Sequence, residues 1–175
     1  MALLPDDPRH NLVVRRFPVQ VYLLIPLLAL VLQAWLPRQR FMGWMAFVDL
    51  PLVVTIYFAL GRRNPLRGML MGATLGLMQD AMTHQAIGLN GITKTVVGYL
   101  AASVGVRIDE GNLLVRVLLN VGLSLLSSAL YLFIFEQLLG LNKEWSWITE
   151  LLRGVGNAAL AFVFYPLLDR MQLRD

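Results

Sequence analysis

Asp80 and Lys94 are the residues of this 175-residue chain whose type and placement most invite chemistry, because each stands inside an otherwise apolar stretch. Asp80 follows Gly68, Gly72 and Gly76 at four-residue spacing, so one helical face carries three glycines and then a carboxylate. Lys94 opens a second stripe of the same period with Gly98 and Ala102. A charge at the centre of a membrane helix costs roughly 2.5 to 3.5 kcal/mol on insertion scales, so neither residue is expected to face lipid uncompensated. Three arrangements meet that demand. Asp80 can sit at an interfacial helix end while Lys94 snorkels outward, the two can pair and close a binding cavity, or Asp80 can hold a loop through backbone N–H groups near Gly88 and Gly91.

Other polar residues fall at helical spacing. Asn120, Ser124, Ser127, Ser128 and Tyr131 lie close to one face of an apolar run, which implies an inward, packed side. Asp49, Lys94, Asn120, Ser124, Arg153 and Asn157 would supply the mid-membrane polar groups that a carrier needs. The glycine ladder, with Gly98 and Ala102, reads as helix packing, either internal or offered to another membrane protein. The chain has no cysteine and two histidines, His10 and His84, so no metal site is expected. Neither G-x-S-x-G, S-x-x-K nor H-E-x-x-H occurs, and neither an enzyme nor a cofactor is expected.

The elements that must hold these residues are apolar. The chain is 57% hydrophobic and 15% charged, with a mean hydropathy of +0.63, which excludes a disordered or ordinary soluble class. We expect an all-α, polytopic membrane protein of about six spans: 17–37, 41–60, 68–82, 89–106, 117–135 and 151–168. Residues 1–16 and 169–175 read as tails flanking one membrane domain over 17–168. Asp49-Leu50-Pro51 interrupts the second run, so the proline either breaks that helix or starts it after a lead-in segment at 41–50. Five spans is the rival count, if the second or third run is re-entrant.

Basic residues come in pairs between apolar runs, not along one face, which argues for membrane orientation and against nucleic acid. With the N-terminus inside, Arg9, Arg15, Arg16, Arg62, Arg63, Arg67, Arg107, Arg116, Arg170 and Arg174 all fall on the inner side. Arg38, Arg40, Lys143 and Arg153 fall outside. That bias predicts both termini in the cytoplasm, with Arg107 to Arg116 as an inner loop.

The run Pro51 to Leu60, then Gly68-x-x-x-Gly72-x-x-x-Gly76-x-x-x-Asp80, Gly88-x-x-Gly91 and Gly98-Tyr99-Leu100, resembles the MreD family of rod shape-determining proteins. Asn157 extends the likeness into the last span, whereas Asp49 precedes Pro51 where the family pattern has its acid after the proline. The resemblance implies a non-enzymatic scaffold in the bacterial inner membrane that binds MreC. Through MreC it would help to connect the RodA glycosyltransferase and a class B penicillin-binding transpeptidase to the MreB cytoskeleton during peptidoglycan synthesis. The family is also similar in fold to the substrate-binding S-components of energy-coupling-factor vitamin transporters, which makes such a binding protein the alternative. The outer connections around Arg38 and His84 are short, and only 142–150 has the length to lid a ligand, which favours the scaffold.

Overall fold

The computed structural model describes residues 17–35, 47–84, 86–108, 112–140 and 146–172. The tails before 17 and after 172, the segment 36–46 with its two arginines, and Lys143 and Trp145 lie outside them. The described residues form six helices and no strand: α1 (Val19–Trp35), α2 (Leu50–Arg62), α3 (Pro65–Thr83), α4 (Leu89–Gly105), α5 (Leu113–Leu139) and α6 (Trp147–Asp169). Consecutive helices run antiparallel, as the contacts of α1 through Gln33 with the start of α2, and of Arg116 on α5 with Asp169 on α6, require.

The local reasons are legible. α3 starts on Asn64, whose side chain accepts from Arg67 N–H, with Pro65 in its first turn; Asn112 and Ser146 cap α5 and α6 likewise. Gly140, at φ 61°, ends α5 in the left-handed conformation that glycine adopts without a Cβ penalty. Helix α1 runs unbroken through Pro26. At 1.5 Å per residue α2, with 13 residues, is about 20 Å long and α5, with 27, about 40 Å. Helices α5 and α6 are long and apolar enough to cross a membrane.

Helix α2 is the core element. All its residues from Leu50 to Gly61 are buried, with Leu52, Ile56 and Leu60 packing on Val97 and Ala101 of α4 while Val54 and Phe58 join Ala161 and Tyr165 of α6. Large apolar side chains instead cover the outside of α1, α5 and α6, among them Leu23, Leu118, Phe133 and Val163. Arg62, Arg63, Arg67, Arg107, Arg116 and Arg170 all fall at one end of the bundle, which we call the basic end; the end of α3, the start of α4 and the start of α2 lie toward the other.

One expectation is corrected and one open choice is resolved. Arg116 is not a loop residue: α5 begins at Leu113, and Arg116 is buried in its first turn, 5% exposed, because Asp169 of α6 lies there to neutralise it. Of the two readings of Asp49-Leu50-Pro51, the regular helix starts after the interruption, since Pro51 lacks the N–H that an earlier start would have to bond. What precedes it, through Ala46, lies outside the described residues.

Candidate functional site

Helices α3 and α4 approach so closely that a Cβ on Gly68, Gly72 or Gly76 would run into the backbone carbonyls of Gly98, Lys94 and Asn90 respectively. The ladder is therefore internal packing, with Ala102 and Gly98 as its counterparts on α4. This contact sets the height of Asp80 beside the start of α4.

Gly88, at φ 105°, is the residue before α4 and has no side chain with which to cap it. Asp80 caps α4 from the neighbouring helix. Its fully buried carboxylate accepts from the N–H groups of Gly88 (2.9 Å), Asn90 (3.3 Å) and Gly91 (3.3 Å) and from Asn90 Nδ2 (2.8 Å). A helix N-terminus offers unpaired N–H groups and the positive end of its dipole, so an anion there is stabilised without a basic partner. Of the three arrangements open for Asp80, the structure has the third. Asp80 and Lys94 are not an ion pair.

Lys94, fully buried, instead reaches across to α2. Its Nζ donates to Asp49 Oδ2 at 2.5 Å and to Asn90 Oδ1 at 3.2 Å. Asp49 is also the cap of α2, Oδ1 accepting from Leu52 N–H at 3.0 Å. The remaining donors at this buried helix start are all matched: Asp49 N–H meets Asn157 Oδ1 (2.9 Å), Leu50 N–H meets Gln33 Oε1 (3.0 Å), and Pro51 has none to satisfy. A helix that begins inside the bundle is thus held by side chains from α1, α4 and α6.

The network continues toward the basic end. Asn157 Nδ2 donates to Ser124 Oγ (3.2 Å), Ser124 lies 3.5 Å from Asn120 Oδ1, and Asn120 Nδ2 donates to Tyr165 Oη (2.8 Å). The Tyr165 ring packs on Tyr57, whose hydroxyl donates to Asp169 Oδ1 at 2.6 Å. Arg116 grips the same carboxylate with both terminal nitrogens, at 3.1 and 2.8 Å, a bidentate geometry that fixes its orientation. The interior therefore carries a nearly continuous polar spine, Asp80–Asn90–Lys94–Asp49–Asn157–Ser124–Asn120–Tyr165, closed at the basic end by Tyr57, Asp169 and Arg116.

The structure brings together Asp49, Lys94, Asn120, Ser124 and Asn157 from among the expected polar residues, and leaves Arg153 apart, paired with Glu150 at 3.0 Å. Asn90, Gln33, Tyr57, Tyr165, Arg116 and Asp169 were missed. The available signal was spacing: Arg116, Asn120 and Ser124 are four apart on α5, and Asn157, Tyr165 and Asp169 share a face of α6 at multiples of four. Chemically the spine consists of groups that satisfy one another. Lys94 is held by a carboxylate and an amide, and no hydroxyl within it meets a histidine, the geometry that would activate a nucleophile.

Fold and spine together define an all-helical protein with apolar outer faces and polar groups turned inward onto one another, the pattern of a membrane-associated helical protein. Residues 15–171 match the family described as rod shape-determining protein MreD, and the chain belongs to that family. Its role is accordingly in rod shape determination, as a shape-determining structural protein of a family not known for enzymatic activity. No curated protein and no solved structure matches the chain.

Proposed function

We propose that the protein is a multi-pass scaffold of the bacterial inner membrane that binds MreC. Through MreC it would help link the RodA glycosyltransferase, a class B penicillin-binding transpeptidase and the MreB cytoskeleton. The observation that carries this reading is the closed spine within a chain of this family: the interior polar groups serve to lock six helices, which leaves the outer apolar faces for recognition. The glycine ladder, filled by α4, is excluded as the docking face. The gathering of arginines at the basic end supports placing that end in the cytoplasm, with the bundle embedded in the membrane.

Complementation tests the role. In a rod-shaped bacterium depleted of its own family member, this chain is expected to restore rods; rounded cells despite normal membrane levels of the protein would count against it.

The S-component-like reading has one observation in its favour. Among the described residues, Gln79 Oε1 on α3 and Glu150 Oε2 on α6 are buried acceptors without a hydrogen-bond partner, and both lie toward the end opposite the arginines. A ligand bearing donors would match them. Titration of the purified protein with vitamins separates the two readings, because an S-component is stabilised by its substrate and a scaffold is not.

A further inference from the structure

A crevice of about 310 Å³ opens between α1, α2 and α3 at the basic end, near the lower limit of small-molecule sites. Its two halves differ in chemistry. At the mouth stand Arg62, on the last turn of α2, and Arg67, in the first turn of α3. The Arg62 guanidinium lies 3.7 Å from the ring centroid of Tyr22, which holds it in place over an aromatic face. Among the described residues neither arginine has an acidic partner. One helical turn deeper, the walls become Leu23, Phe58 and Met71.

We propose that this crevice binds an anionic phospholipid, the phosphate held by Arg62 and Arg67 and the first part of an acyl chain lying against Leu23, Phe58 and Met71. Guanidinium groups recognise phosphate through paired N–H donors, and the start of α3 adds the positive end of its dipole. The division into a cationic mouth and an apolar floor, set at the level where helices leave the membrane, matches an amphiphile and no purely polar anion. The site rests on the membrane embedding proposed above, with the basic end at the inner leaflet.

The test uses the full chain purified in neutral detergent, titrated with phosphatidylglycerol, phosphatidylcholine or inorganic phosphate while thermal unfolding is followed. Phosphatidylglycerol is expected to raise the melting temperature with half-saturation roughly tenfold or more below that of phosphatidylcholine, phosphate alone having no effect. The Arg62→Gln/Arg67→Gln variant is expected to melt like the parent without lipid and to lose the preference. Equal responses to the two lipids, a response to phosphate alone, or an unchanged preference in the variant would overturn the proposal. The wild-type comparison decides by itself if the variant does not fold. Purification of the chain without any detergent would instead sink the embedding on which the site rests, so the two failures are distinct.

Discussion

Separating Lys94 from Asp49 should be the most damaging charge change in the interior. Asp49→Asn keeps an N-cap acceptor for Leu52 N–H, since asparagine caps about as well as aspartate, so the substitution isolates the charge. It leaves the Lys94 ammonium fully buried with only Asn90 to solvate it. Removing one partner of a buried pair costs about 3–5 kcal/mol; with the Asp49 side chain a quarter exposed, solvent screening reduces this to about 2–4 kcal/mol. Lys94→Met should be milder, about 1–3 kcal/mol, because the carboxylate left behind still faces the start of α2 and its dipole. The double variant buries no lone charge and should be more stable than the sum of the singles implies, with a coupling of about 1.5 kcal/mol or more. Reversible unfolding in mixed micelles measures all four forms. Losses additive to within about 0.5 kcal/mol would refute the pairing, and a larger coupling in the Asp80→Asn/Lys94→Met cycle would give Lys94 to the wrong acid.

Three further outcomes follow from the same geometry. Gly72→Ala should lose well over 2 kcal/mol or fail to fold, because its Cβ meets the Lys94 carbonyl, whereas Gly122→Ala on α5 meets nothing within 4 Å and should gain up to about 1 kcal/mol from helix propensity; thermal unfolding of the pair checks this. Asp80→Ala should speed amide exchange selectively at Gly88, Asn90 and Gly91, whose N–H groups it leaves unpaired; uniform exchange across the bundle would contradict the capping role. Because the chain has no cysteine, Ile87→Cys and Met171→Cys can be labelled without background: a membrane-impermeant maleimide should reach position 87 in intact spheroplasts and position 171 only after lysis, and the reverse would invert the orientation.

What the sequence discloses about this bundle is what depends on neighbours along one helix. The close approach at Gly68, Gly72 and Gly76 is such a feature, as is the inward face of α5 at Asn120 and Ser124, because small or polar residues four apart declare a face wherever the helix sits. The partner of Lys94 is not of this kind. It depends on how deep α2 starts, and Asp49-Leu50-Pro51 is equally compatible with a broken helix and a new one. Asp80 and Lys94 are fourteen positions apart in the same hairpin, which makes them the obvious pair; Asp49 lies 45 positions from Lys94 and on another helix. Arg116 misleads in the opposite way. Its polar neighbours suggest a loop, and only Asp169, 53 positions on, makes burial tolerable. Apolar periodicity gives the helices, while the pairings that lock them are tertiary.

The claim that matters most is that these locked helices serve to bind a partner, and co-purification tests it most directly. The tagged chain, coexpressed with MreC and extracted in mild detergent, is expected to bring MreC down in a stoichiometric complex that survives size-exclusion chromatography. Consistent elution of the chain alone, together with a vitamin-dependent rise in its melting temperature, would contradict the scaffold and point to a substrate-binding protein.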